Sequence, residues 1–228
     1  MNNDQIFLEM LHTDKLFKPS HTLAWEYLTQ YTWPWEALPF IAGIIPELGD
    51  SLDTSEYAKL SDNAWIHKTA NVATTAFIGS SVIICAGAEV RHGAFIRGNA
   101  LIGSGAVVGN STELKNVILF DGVQVPHYNY VGDSILGYKS HMGAGSITSN
   151  VKSDHSLVSV AVGDNRINTN LKKFGAIVGD HVEIGCNAVL NPGSVIGSNT
   201  TVYPLSLVRG FIPAGNIYKK QGEIAEKR

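Results

Sequence analysis

Arg97 follows Ile96, and Lys115 follows Leu114, so the two cations stand eighteen residues apart in the chain. If the backbone repeats with that period, they stack on one face about 5 Å from each other, the spacing of paired strands. Stacked cations repel unless an anion lies before them. Phosphate suits the pair, Arg offering a planar fork and Lys a point charge. The alternative is a pair of surface cations, each bonded to an acid such as Glu113. His127 lies in the run Val125-Pro126-His127-Tyr128-Asn129-Tyr130, which interrupts a chain otherwise rich in small aliphatics and glycine. Imidazole is the side chain best suited to move a proton near neutral pH, although a lone His also serves packing. Tyr130 either bonds a substrate oxygen or covers a local distortion. Gly143-Ala144-Gly145-Ser146 lacks the context of a nucleophile elbow. The sequence holds no glycine-rich loop of the nucleotide-binding types.

The elements that must position these residues are written in a six-residue repeat. Ile66, Val72, Ile78, Ile84, Val90, Ile96, Ile102, Val108 and Leu114 fall in one phase. The residues two before them, from Ala64 to Thr112, are all small or β-branched. The phase slips by one at Leu119, Val125 and Val131, and again at Leu136, Met142 and Thr148. It resumes as Val178, Ile184, Leu190, Ile196, Val202 and Val208. Glycine follows many of these aliphatics, as at Gly79, Gly103, Gly109, Gly179 and Gly185. A period of six fits neither a helix nor a free strand. It predicts a three-sided coil in which the aliphatic points inward and glycine permits the turn through a positive φ. Such a solenoid runs to about seven coils and on the order of 34 Å in height. The slips on either side of His127 predict a distorted coil there.

The remaining segments lack the period. Residues 1–60 carry Trp25, Trp33 and Trp35 among Tyr27, Tyr31, Pro34 and Phe40, with a capped helix start expected in Ser20–Leu28. A solenoid needs its open end covered, so this segment is expected to be a helical cap or an interface; an aromatic ligand slot is the functional alternative. The coil is expected over 61–212, interrupted by an insertion over 151–172. There LVSVAV, GDN and RINT predict a β-hairpin projecting from the prism. Residues 213–228 form a tail. Only 16% of the 228 residues are charged and the net charge is −3, which gives no electrostatic footprint for nucleic acid. No stretch approaches the ~20 apolar residues of a membrane span, and the first residues do not read as a signal peptide. Cys85 and Cys186 read as small buried residues of a cytoplasmic protein.

RGNALIGSGAVVGNSTELKN, VPHYNYVGDS, SHMGAGSITSN and KKFGAIVGDHVEIGCNAVLNPGSVIGSNTTVYP together carry a resemblance. Over roughly residues 65–210 the chain resembles the acyltransferase half of the bifunctional N-acetylglucosamine-1-phosphate uridyltransferases. It is most similar to the related sugar-phosphate nucleotidyltransferase branch, which has a longer insertion before K-F-G-A-x-x-G-D. The resemblance implies an all-β, left-handed parallel β-helix that forms a homotrimer with sites between subunits. It implies acetyl transfer from acetyl-CoA to the amine of an amino-sugar 1-phosphate. Arg97 and Lys115 would hold the phosphate, and His127 would be the general base. Tyr130 and Asn150 would contact the sugar, with His141 where the family has Asn and Val151 where it has an aromatic. Lys173 would approach the phosphate or sugar from beyond the insertion. Ala144, Cys186 and Pro204 would fall in the acyl-CoA region. The G-x-G-T-R signature of nucleotidyl transfer is not among these residues, so nucleotidyl transfer is not expected. A different reading is a non-catalytic trimer that binds a sugar phosphate or nucleotide sugar and partners a separate nucleotidyltransferase. A third is a zinc site of the kind in γ-class carbonic anhydrases, but no two His here have that family's five-residue spacing. No metal is therefore expected.

Overall fold

The computed structural model describes residues 3–61 and 63–227. The aliphatics of the repeat point inward as the period requires, and from Ile84 to Val208 every one of them is buried. They line a three-sided parallel β-helix, in which each strand pairs in parallel with its counterpart one coil on. One face stacks 77–79, 95–97, 113–115, 130–132, 147–148, 189–190 and 207–208, and is called the site face below. The next, the covered face, stacks 64–66, 82–84, 100–102, 117–119, 134–136, 176–178, 194–196 and 211–212. The third stacks 71–72, 89–90, 107–108, 124–125, 141–142, 183–184, 201–202 and 217–218. The coil thus runs past Ile212 to a last rung at Asn216–Lys220, which Glu223–Glu226 closes as an antiparallel strand. Tyr218 takes the inward position there, 3% exposed, where the search for aliphatics finds nothing.

The register explains the slips. Ile78 pairs Ile96 and Ile96 pairs Leu114 at a separation of eighteen, but Gly98 pairs Lys115 at seventeen, across an irregularity between Ile96 and Gly98. The extra residue is Arg97. The following coils keep seventeen, as in Leu114 with Val131 and Leu119 with Leu136. The distortion therefore sits at Arg97, not around His127. A bulge re-aims the side chain it carries.

The glycines that follow inward aliphatics are required for a reason other than φ. Gly79, Gly103, Gly109, Gly179 and Gly185 are absent from the left-handed region, yet a Cβ on Gly109 would stand 1.6 Å from the carbonyl oxygen of Pro126, and one on Gly185 would stand 2.3 Å from the nitrogen of Pro204. They admit the backbone of the next coil. Positive φ falls instead at the corners, on other glycines such as Gly87 and Gly105 and on Asn, Asp and Ser such as Asn99, Asn116, Asp133 and Asn187. These side chains tolerate that region better than others.

Residues 3–50 do not close an open end; they run along the covered face. Phe7 meets Phe211, Phe17 meets Phe120, Trp35 stacks with Phe174, and Gly49 lies against the ring of Trp65. The helix Ile41–Asp50 buries Ile41, Ile44, Ile45 and Leu48, one stripe at helical spacing. The expected helix start within 20–28 shrinks to a single turn, Trp25–Leu28, with no side-chain cap on Ala24. Because this face is covered outside and packed inside, its strands read as unbroken apolar triplets: Val82-Ile83-Ile84 are all fully buried. The hairpin stands as expected, Val158–Val162 against Asn165–Leu171 around Gly163 and Asp164, but it is seated rather than free. Val158, Val160 and Val162 are 0–3% exposed. Among the described residues no helix is long and apolar enough to cross a membrane.

Candidate active site

The corner between the site face and the covered face carries the polar centre of the molecule. Asp133 turns that corner with φ 48° and is only 4% exposed. Its carboxylate accepts hydrogen bonds from the Lys115 ammonium at 3.1 and 3.3 Å, from the Asn116 amide at 3.1 Å, and from the Asn150 amide. Asn150 also donates to the Tyr130 hydroxyl at 3.2 Å. Burial pushes the Tyr130 phenol above its ordinary value, with the Asp133 and Glu113 carboxylates adding to the shift. It therefore stays protonated, and its hydrogen is free to donate outward. Arg97 pairs with Glu113 at 2.9 Å, and this bond holds its guanidinium pKa above the ordinary value. Arg97, Lys115, Tyr130 and Asn150 thus lie near one another beside the site face, but Arg97 and Lys115 are not stacked rungs, because Gly98 and not Arg97 pairs with Lys115. Both cations, however, already carry a carboxylate partner, which is the alternative their spacing left open. Lys115 engages Asp133 alone, which leaves at least one ammonium hydrogen for a ligand.

The structure brings Lys173 to the same corner by its backbone. The N–H of Phe174 donates to the carbonyl of Asn150 at 2.9 Å, so the two ends of the insertion meet there. The Lys173 side chain is exposed.

His127 stands at a different corner, between the third face and the site face. It is exposed, and among the described residues no side chain bonds its ring. Its backbone is fixed from beneath. Asn129, 2% exposed, accepts from the His127 N–H at 3.1 Å and donates to the carbonyls of Gly143 at 2.9 Å and Ser146 at 3.0 Å. Sequence reasoning missed Asn129. The signal was present, because it occupies the small-residue position held by Ala94 and Thr112 in earlier coils and by Ser146 in the next. Between them Tyr128 adopts φ 52° and is 64% exposed. Leu205 turns the same corner further along with φ 60° and is 80% exposed. Large side chains pay about 1–2 kcal/mol for that region, and two such residues at one corner mark it as more than a turn.

Ala144 lies beside His127, since the Gly145 N–H donates to the His127 carbonyl at 3.0 Å. His141, Cys186 and Pro204 line a shallow groove of about 380 Å³ on the third face, where His141 Nδ1 and Glu183 Oε2 lie 2.8 Å apart. Cys186 is exposed, contrary to the expectation of a buried thiol, because it sits at a corner and not on an inward position. Cys85 is buried, and burial pushes its thiol up to about 12. One chain therefore does not gather all the expected residues. His141 is on the third face and the phosphate pair on the site face, with His127 on the edge between. Among the described residues no three His, Cys, Asp or Glu side chains gather as a metal ion would need.

Comparison with known proteins agrees with this architecture. Residues 81–171 match the family described as the GMPPB C-terminal domain, and residues 175–210 match the bacterial transferase hexapeptide (six repeats). A bifunctional sugar-1-phosphate nucleotidylyltransferase/acetyltransferase of Sulfurisphaera tokodaii is 35% identical over 48% of this chain and 27% of its own length. The bifunctional protein GlmU of Methanococcus vannielii is 36% identical over 52% of this chain and 29% of its own. The acetyltransferase domain of PglB from Neisseria gonorrhoeae, solved with acetyl coenzyme A, is 21% identical over 68% of this chain and 53% of that one, with a TM-score of 0.32. Over residues 81–210 the chain thus carries GMPPB C-terminal and hexapeptide-repeat sequence, in keeping with the acyltransferase-like domain of the bifunctional proteins. The matched segment spans little more than a quarter of those curated relatives.

Proposed function

We propose that this protein is an acyl-coenzyme-A-dependent acyltransferase that places an acetyl group on the amine of an amino-sugar phosphate. The observation that carries the reading is the convergence of Arg97, Lys115, Tyr130 and Asn150 beside the site face, within a strand's length of an exposed His127. The phosphate is held by Arg97, which leaves its exposed partner Glu113, and by the ammonium hydrogen that Lys115 does not spend on Asp133. Tyr130 and Asn150 meet the sugar, and Lys173 approaches from the end of the insertion. His127 takes a proton from the amine as its nitrogen attacks the thioester carbonyl. The C–N bond forms, the C–S bond breaks, and the thiolate leaves and is protonated to the free thiol. Acetyl-CoA lies along the corner marked by Ala144, Cys186 and Pro204.

The site is completed between copies, in a homotrimer. Two supports are on hand. The expected residues divide between two uncovered faces, and the site face and its corner expose large apolar side chains: Phe77 and Phe95, stacked edge to face, and Leu205 and Leu207 further along. The test is thiol release from acetyl-CoA in the presence of a panel of amino-sugar 1-phosphates. A second reading, a binding trimer without turnover, draws on the pairing of both cations with carboxylates. Calorimetry that finds sugar-phosphate binding and no acetyl-CoA binding would favour it.

A further inference from the structure

The insertion encloses a cavity of about 640 Å³ against the end of the site face, and neither the sequence motifs nor the proposed transfer reaction uses it. Three cations line it, Lys152, Arg166 and Arg209, against one carboxylate, Asp154, in a chain whose net charge is −3. Asp154 is already engaged: it accepts from the backbone and hydroxyl of Ser156 and lies 3.7 Å from Lys152. Among the described residues neither Arg166 nor Arg209 has a carboxylate within ion-pair reach. The two guanidiniums come from separate elements, the hairpin and the coil, and both elements are held firmly. The hairpin strand Val158–Val162 buries its valines, and its backbone lies on the corner glycines; a Cβ on Gly210 would meet the Ala161 carbonyl oxygen at 2.5 Å. Arg209 occupies the same ladder position as Lys115, four rungs along, or roughly 19 Å at the strand spacing. One sugar phosphate cannot bridge that distance, so the cavity is a separate feature.

Loops that leave a rigid scaffold are where binding sites concentrate. Unpaired guanidinium forks facing a polar cavity match phosphate oxygens in geometry and charge, and the volume lies in the range of small-molecule sites. We propose that this cavity is a second binding site, for a phosphate-bearing ligand of nucleotide size held by Arg166 and Arg209. Two sources share that chemistry: a free nucleotide, or the adenosine diphosphate portion of coenzyme A.

Isothermal titration of the intact protein with ADP, UDP and coenzyme A tests this. The expected result is saturable binding of at least one, weakened tenfold or more by Arg166→Gln and by Arg209→Gln, and changed less than twofold by Lys68→Met, an exposed cation outside the cavity. Coenzyme A and ADP binding that both Gln variants weaken, without UDP binding, assigns the site to the adenosine diphosphate portion; arginine-dependent binding of ADP and UDP alike assigns it to free nucleotides. Arg209→Lys keeps the charge and loses the fork, and is expected to bind at an intermediate level. Circular dichroism and elution volume of each variant establish that it is folded. Absence of saturable binding by all three ligands, or wild-type affinity in either Gln variant, overturns the proposal.

Discussion

The Lys115 ammonium and the Asp133 carboxylate lie 3.1 Å apart, one coil from each other, and Asp133 is almost wholly buried. The pair is thus both the anchor of a corner and the cationic edge of the candidate site. Removing the cation leaves a buried carboxylate with only amide donors. Breaking a buried pair by deleting one member costs about 3–5 kcal/mol when both are buried. Lys115 is partly exposed, so Lys115→Met should lower stability by about 2 kcal/mol in urea unfolding. Arg97→Ala, which breaks an exposed pair, should leave the urea midpoint unchanged and raise KM for the sugar phosphate. Equal loss of stability in both variants would refute the distinction.

Asn129 is expected to act as a positioning residue. Replacing it with Ala removes a buried donor from the Ser146 carbonyl and from that of Gly143, which keeps the Ser146 N–H and hydroxyl, at a cost of about 1–3 kcal/mol, and loosens the backbone of His127. kcat should fall while KM for the sugar phosphate holds. Asn129→Asp should not rescue it, because a carboxylate cannot donate to two carbonyls. A variant with lowered stability and unchanged kcat would confine Asn129 to a structural role.

Much of this was legible in advance, and the limits have physical causes. The inward ladder is written in the sequence because every coil needs the same aliphatic in the same place. The covered face is equally legible: Trp65, Ile83, Leu101, Ile118, Ile135, Ile177 and Val195 form an unbroken outward apolar ladder, whereas Glu113 interrupts the one on the site face. An outward ladder of that kind demands a partner along the flank, which is where residues 3–50 lie. The glycines that follow inward aliphatics meet a need for close approach and not for positive φ, since period alone does not say which coil atoms lie overhead. Arg97 and Lys115 lie near each other although the bulge breaks the eighteen-residue rung expected of them, and their carboxylates are legible only in part. Glu113 is near in sequence, whereas Asp133 reaches Lys115 from the next coil.

The two kinds of turn position give opposite expectations. Gly109→Ala places a Cβ on the Pro126 carbonyl and should cost several kcal/mol, of the order seen for overpacking with backbone shift. Leu205→Gly relieves a left-handed residue whose side chain is exposed, and should leave stability equal or raise it by about 1 kcal/mol. Thermal midpoints of the two variants check both; destabilisation by Leu205→Gly would show that its side chain is packed against another copy.

Asp180 ties the N-terminal segment to the coil by accepting the N–H groups of Lys18 and Tyr138, each at 2.8 Å. Burial pushes its carboxyl above the ordinary range, against those two bonds. A raised pKa in the folded state means stability present below the unfolded value and lost as pH rises through the folded one. Asp180→Asn has no such dependence. The stability advantage of the wild type over this variant should therefore shrink as pH rises from about 3.5 to 7. Urea midpoints of both proteins at the two pH values measure it, and an advantage that grows with pH would contradict the assignment.

His127 is proposed to move a proton in acyl transfer at a site assembled on the uncovered faces. The deciding measurement is thiol release from acetyl-CoA with an amino-sugar 1-phosphate, compared between the wild type and His127→Ala. Release is expected to require both substrates and to fall by about 10²–10⁴ in the variant, with assembly state and KM retained. Release by no member of the panel, or wild-type turnover in His127→Ala, would contradict it.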